Sequence, residues 1–387
     1  MEATTSIKPR IRVAALSGSL RKTSFHTGLL RAAIDLTKES VPGMEIECID
    51  ISPLPLINTD LEINGTYPPV VEAFRLKILD ADSILFASPE YNFSVSAPLK
   101  NALDWASRAP NVWADKPAAI ISTGGSSGGG RAQYHLRQIG VFLDLHFINK
   151  PEFTLNAFQP PQKFDGEGNL VDEAAKEKLK QVLVSLQAFT FRLQVTAIKP
   201  LIRVAALSGS LRKTSFNTGL LRAAIDLTKE SVPGMQIEYV DISPLPLINT
   251  DLEVNGTYPP VVEAFRQKIL EADSILFASP EYNFSVSAPL KNALDWASRA
   301  PNVWADKPAA IISTGGGFGG GRSQYHLRQI GVFLDLHFIN KPEFTLNAFQ
   351  PPQKFDEEGN LVDEAAKERL KLVLVSLQAF TLRLQGK

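Results

Sequence analysis

Two stretches of glycine, small hydroxyl residues and arginine carry the first chemical signal in this chain. "LSGSLRKTSFHTGLL" runs from Leu16 to Leu30 and "LSGSLRKTSFNTGLL" from Leu207 to Leu221, differing only in His26 against Asn217. Each follows a short apolar run and leads into what reads as a helix start. Backbone N–H groups and hydroxyls gathered there suit a phosphate, because a helix N-terminus offers unpaired donors and partial positive charge. Arg21 or Arg212 can add a charge-assisted hydrogen bond. The string is neither GxGxxG nor GxxxxGK[ST], which argues against a Rossmann dinucleotide site and against an NTPase. A second string, "SPEYNFSVSAPLKNALDW", stands at 88–105 and again, unchanged, at 279–296. It places Tyr91 and Phe93 in a polar loop, where they can wall a flat heterocycle. The third, "STGGSSGGGR" at 122–131, returns as "STGGGFGGGR" at 313–322. Its glycines let the backbone approach a ligand closely and adopt positive φ. A phosphate cradle, an aromatic turn and a glycine-rich wall together describe a mononucleotide site with a planar head.

The elements that must position these loops are written twice. The chain matches itself at an offset of 191 residues up to Leu193 and Leu384, with mild exchanges such as Glu45 to Gln236 and Asp80 to Glu271. A period this long is a whole domain, not a solenoid repeat. The reading is two domains, 1–194 and 195–387, joined by about six residues that span at most roughly 20 Å. Within each copy strands and helices alternate. "IRVAAL" (11–16) reads as a buried parallel strand, and Thr23 or Ser24 can cap a helix to about Ser40. Further strands are expected at "MEIECIDI", "SILFAS" (83–88), "AAIIST" (118–123) and near "EFTL". Helices are expected over 69–79, from Pro98, from Arg131 to Phe147 and from about Asp172. Strand and helix alternating five times predicts a doubly wound parallel sheet, whose ligands sit beyond the carboxyl ends of the strands.

Composition narrows the function class. The chain has 387 residues, 44% hydrophobic and 21% charged, with a formal net charge of −1, so no electrostatic case exists for nucleic acid. No apolar run is long enough for a transmembrane segment, and the opening residues lack the apolar stretch of a secretory signal. The one cysteine, Cys48, is matched by Tyr239 in the second copy, so it reads as a filled strand position. A reducing cytoplasmic setting is expected. His135 and His146, placed here on the long fourth helix, show no metal-ligand spacing and suit helix-surface or interface roles. Glu90 invites a general-base reading, but a carboxylate beside a bound planar ring more often fixes its loop.

"GSLRKTSFN", "SPEYNFSVSAPLKNALDW" and "GGGRSQYHLRQIGVFLD", in this order, resemble the NAD(P)H-dependent FMN reductase family of flavodoxin-like quinone reductases. The resemblance covers essentially all of both copies. It implies a flavodoxin-like α/β fold with a five-stranded parallel sheet, present twice in tandem. It implies FMN with its phosphate on Ser17, Ser19, Arg21, Ser24 and His26. The isoalloxazine is expected against Pro89, Glu90, Tyr91, Asn92, Phe93 and Ser94, with Ser122, Thr123 and Gly124 at the other strand end. The second copy offers Ser208, Ser210, Arg212, Ser215 and Asn217, then Pro280, Glu281, Tyr282, Asn283, Phe284 and Ser285, then Ser313, Thr314 and Gly315. The family usually has Asn where His26 stands, and Ser126 and Ser127 become Gly317 and Phe318 near the expected substrate entrance.

The activity so implied is NAD(P)H:quinone oxidoreduction, with NADPH or NADH as co-substrate, ping-pong kinetics and no obligate protein acid or base. Reduction of azo dyes, chromate or free flavin is the alternative within enzymes, and a flavin-binding electron carrier is the alternative outside them. Two near-identical helices, with Tyr134, Leu136, Ile139, Phe142 and Leu143 on the first, suggest an intramolecular pseudo-dimer. In it each half would rim the other's pocket, and whole chains could pair further.

Overall fold

The computed structural model describes residues 10–194 and 201–385. The chain divides into two compact units, Met1–Leu193 and Gln194–Lys387. The short join expected between them lies outside the described residues.

In the first unit β1 (Ile11–Ser17) buries every residue of its run but Arg12 and the half-buried Ser17. Helix α1 (Phe25–Glu39) follows, started by Ser24 as predicted: its Oγ accepts from the N–H groups of His26 and Thr27. Then come β2 (Met44–Ile49), α2 (Pro69–Asp80) and β3 (Ser83–Ala87). A small antiparallel hairpin, β4 (Glu90–Tyr91) and β5 (Ser94–Val95), precedes α3 (Ala97–Ser107). The unit closes with β6 (Lys116–Gly124), α4 (Gly130–Leu143), β7 (Leu145–Phe147), β8 (Phe153–Asn156) and α5 (Glu173–Gln194).

The sheet runs in the order β2-β1-β3-β6, with every pairing parallel, and β7 and β8 both pair with β6. This is the doubly wound order in which the winding reverses between β1 and β3. The expected fifth strand is therefore two pieces. β7 pairs with the start of β6 (Lys116–Ala118), and β8 with its end (Ile121–Gly124).

Helices α2, α3 and α4 cover the face presented by Ala14, Leu16 and Phe86, where Trp105 and Trp113 are fully buried. Each indole N–H has a partner, Trp105 Nε1 donating to the Pro55 carbonyl at 2.7 Å and Trp113 Nε1 to that of Leu103 at 3.0 Å. Burial of that much aromatic surface without an orphaned donor is what makes this face the anchor of the unit. Buried Arg75 adds a staple, donating to the carbonyls of Trp105, Arg108 and Pro110 and so satisfying the C-terminal end of α3. The second unit repeats this topology, from Ile202–Ser208 to Glu364–Gln385.

One helix is shorter than the sequence suggests. The expected helix from Arg131 to Phe147 stops at Leu143, because Asp144 turns left-handed (φ 60°) and its N–H returns to the carbonyls of Gly140 and Val141. His146 therefore sits on a strand, not on the helix, and its Nε2 lies 3.0 Å from Asp115 Oδ1. The apolar pattern misled because Leu143 and Phe147, four apart, continue the helical spacing while Leu145 and Phe147 already alternate as a strand. Leu136 and Leu143, expected on a docking surface, are buried in the unit's own core; Ile139 is partly buried against it, while Tyr134 and Phe142 stay exposed.

Candidate functional site

The carboxyl ends of β1, β3 and β6 deliver the three singled-out loops to one place. Gly18 leaves β1 where any Cβ would meet Pro89 Cδ at 2.7 Å and Ser96 Oγ at 2.9 Å, so only glycine lets the first loop lie against the second. Ser96, the cap of α3, locks that contact by donating to the Gly18 carbonyl at 2.6 Å. The third loop is folded back by Gly128 and Gly129, both at positive φ (56° and 84°); a Cβ on Gly129 would press on Ser122.

Between these loops lies a cavity of about 370 Å³. Ser19, Arg21, Ser24 and His26 line one end, Pro89, Glu90 and Tyr91 one wall, and Thr123 and Gly124 the other. These nine are site residues expected from the sequence. The cavity also takes Phe25 and Phe158, which the sequence reading did not include, and Gly125, Ser126, Ser127, Gly129 and Arg131 of the glycine-rich string. Phe25 stacks on Phe164 with ring centroids 4.3 Å apart and lies 6.2 Å from Phe158. A large apolar residue directly after the helix cap was the available signal for Phe25. Phe158 comes from a loop whose sequence gave none.

Several expected contacts are relocated. Ser17 lies behind the loop: its Oγ accepts from Ser19 N–H at 3.3 Å and pairs with Thr27 Oγ1 at 3.1 Å. Ser122 is wholly buried, donating to the Gly128 carbonyl at 2.7 Å and accepting from Gln133 at 2.7 Å. Both shape the backbone that faces the cavity without lining it. Asn92 and Phe93, at φ 48° and 64°, form the exposed tip of the hairpin, and Ser94 Oγ pairs with His135 Nδ1 at 2.9 Å. These three stand at the rim.

Residue 26 acts chiefly between elements. Thr123 N–H donates to His26 Nε2 at 3.4 Å. Asn217 does this better, accepting from Thr314 N–H at 3.2 Å and donating to the Thr314 carbonyl at 3.1 Å. Either way the start of the helix is tied to the end of the central strand. Burial drives the His26 pKa down to about 4, against the pull of the Thr123 and Ser88 backbone groups and assisted by Arg21. The imidazole is therefore neutral near pH 7.

Glu90 is committed to structure. Helix α4 begins at a glycine with no side chain to cap it, and Glu90 Oε2 accepts from Arg131 N–H at 3.0 Å and Ala132 N–H at 3.4 Å instead. Its other oxygen meets Arg131 Nη1 at 3.3 Å. Glu281 repeats the bonds to Arg322.

In the second unit Ser208 again pairs with the threonine of the helix, Thr218, and Ser215 caps it. Ser313 is again buried beneath the glycine loop, and Gly320 keeps φ 85°. A cavity of about 810 Å³ opens between the first loop and the hairpin of this unit, lined in part by Ser210, Arg212, Tyr282, Asn283 and Ser285 and by no residue of the glycine loop. Pro280, Glu281, Phe284, Thr314 and Gly315 occupy the same strand ends as their first-unit counterparts. Among the described residues no cluster of His, Cys, Asp and Glu could hold a metal ion.

The family model for NADPH-dependent FMN reductases matches twice, over residues 11–160 and 202–351, and the two stretches contain all three loops. The chain belongs to this family. It carries the family domain twice, and the relatives named here are each about the length of one copy. An Arabidopsis thaliana NADPH:quinone oxidoreductase is 95% identical over 193 residues, which is 50% of this chain and 98% of that protein. A Solanum tuberosum NAD(P)H:quinone oxidoreductase is 73% identical over 191 residues, 49% of this chain and 98% of its own length. A Pseudomonas aeruginosa NAD(P)H-dependent FMN reductase is 49% identical over 187 residues, 48% and 98%. The family's FMN fits the donor set. One end of the cavity joins a capped helix start to Arg21 and serine hydroxyls, as a phosphate requires, and the walls are backbone and an aromatic turn.

Proposed function

We propose that each unit is an FMN-dependent NAD(P)H:quinone oxidoreductase that works by a ping-pong cycle in the cytoplasm. The observation that carries this reading is the convergence of three loops on one cavity, with an anion-binding end and a flat, backbone-lined wall. The relatives named above support the quinone as acceptor. When bound, FMN supplies a two-electron centre able to accept hydride from a nicotinamide and give it to a quinone. The chain's own groups bind and orient. Ser19, Arg21 and the N–H groups at the start of α1 hold the phosphate; Ser24 shapes that start. Pro89 to Tyr91 and Thr123 to Gly124 bracket the ring system. Glu90 keeps the glycine loop against them through its bonds to the α4 N–H groups and Arg131. No helix of the described residues is long and apolar enough to cross a membrane.

Steady-state kinetics test the cycle. NAD(P)H and quinone sharing one pocket give parallel double-reciprocal lines. Intersecting lines without substrate inhibition mean a ternary complex and overturn the shared pocket.

Pairing of the two units through α4 and its counterpart (Gly321–Leu334) belongs to the same proposal. It rests on the repeated sequence and the short join, which raises the effective concentration of one face near the other. Disulfide trapping at low protein concentration tests it. Phe142→Cys combined with Phe333→Cys is expected to oxidise to an intrachain bridge, and its absence sinks the pairing.

A further inference from the structure

We propose that the two units differ in the quinone they accept, and that Phe318 makes the second unit the one selective for apolar, fused-ring quinones. The inference rests on the oxidoreductase reading above and assigns a substrate class within it. The two glycine loops have the same backbone. Gly128 and Gly129 stand at φ 56° and 84°, and Gly319 and Gly320 at 56° and 85°. The difference between them is one of side chains. In the first unit Ser126 and Ser127 line the cavity, and Ser127 Oγ lies 3.4 Å from both oxygens of Glu90. The wall there is polar and small. Arg131 rests on one ring only, Phe93 at 4.2 Å, and its side chain is 53% exposed.

In the second unit Gly317 and Phe318 replace the serines. The Arg322 guanidinium now lies between two rings, 4.1 Å from the Phe284 centroid and 3.9 Å from that of Phe318. Its exposure falls to 38%, while Glu281 still holds its Nη1 at 3.3 Å. A guanidinium stacked on both faces and bound at one edge is fixed in place. It in turn holds the Phe318 ring, which is 66% exposed, at the position that Ser127 occupies in the first unit's cavity wall. The glycine loop of the second unit thereby carries a rigid apolar surface where the first unit carries a serine. A flat apolar ligand can stack there at little entropic cost, whereas the serine wall favours a small, hydrophilic ring.

The test uses the full chain carrying FMN, kept oxidised and without NAD(P)H, so that binding is read apart from turnover. Calorimetric titration with 2-methyl-1,4-naphthoquinone is expected to resolve two sites differing about tenfold in affinity. A sulfonated benzoquinone should show no such preference for the second site. Phe318→Ser removes the tighter naphthoquinone site, and Ser126→Gly with Ser127→Phe creates a second one. An unchanged flavin content, measured on each variant, shows that the fold is kept. Two equal naphthoquinone sites in the parent chain, or no change on Phe318→Ser, overturn the inference alone. Quinone binding at neither site also overturns the inference, whereas absence of NAD(P)H-dependent quinone turnover in the parent chain overturns the oxidoreductase reading on which it rests.

Discussion

At the scale of single residues, the site is held by a few polar contacts whose loss has calculable consequences. Arg212 lies 6.0 Å from the ring of Phe216, at the helix start proposed to hold the phosphate in the second unit. Arg212→Ala should weaken FMN binding there by about 1.5–3 kcal/mol, the worth of a hydrogen bond to a charged group. Titration of apoprotein by flavin fluorescence reads this, and unchanged affinity removes Arg212 from the site. His26 gives the first unit an acid sensitivity that the second lacks. Its folded pKa of about 4 lies below the unfolded value of 6.5, so the unfolded chain binds a proton that the folded unit refuses. Stability is intact above pH 6.5 and is lost as pH falls from 6.5 towards 4, reaching about 2 kcal/mol of loss at pH 5. Denaturant unfolding of the apoprotein should show one unit's transition moving to lower denaturant at pH 5, and His26→Asn should abolish the movement. An equal shift in both units contradicts the assignment to His26. Residue 26 also shows where sequence reading stops. The Asn-to-His exchange marked the position as part of the site, but the bonds of both side chains to the backbone of residue 123 or 314 depend on two strands meeting 97 residues apart.

At the scale of elements, the succession of strands and helices, a first helix cap at Thr23 or Ser24 and Pro98 in the first turn of α3 follow from local pattern alone. What local pattern misses is set by tertiary contact. The end of α4 at Leu143 is decided by the left-handed Asp144 and by β7 pairing with the start of β6. The start of α4 has no local cap, and Glu90 supplies one from the hairpin on the far side of the sheet sequence. Glu90→Ala should therefore act as the loss of a helix cap. It is expected to destabilise the first unit by about 1–2 kcal/mol. It should leave the pH profile of turnover unshifted, because the carboxylate serves as a helix cap. A pH profile that loses an acidic limb in Glu90→Ala would restore a base role. Ser17 and Ser122 belong to the same lesson. Their residue type and loop position drew them into the expected site, while their burial behind the loop places them as supports for its backbone.

At the scale of the whole molecule, the chain is two family domains in one polypeptide, and the repeat was fully legible because the two copies differ at so few positions. The three recognition strings stand in both copies, and the structure builds the same strand order and the same caps around each. The exchanges His26 to Asn217 and Ser127 to Phe318 change how each site is tied and lined, without removing the anion-binding end of either. The central claim is that both units are working flavin sites. The measurement that tests it most directly is the stoichiometry of FMN binding to apoprotein of the full chain, followed at pH 7 by flavin fluorescence against protein concentration. Two FMN per chain are expected. No FMN bound contradicts the account outright, and one FMN per chain contradicts the claim that both units bind it.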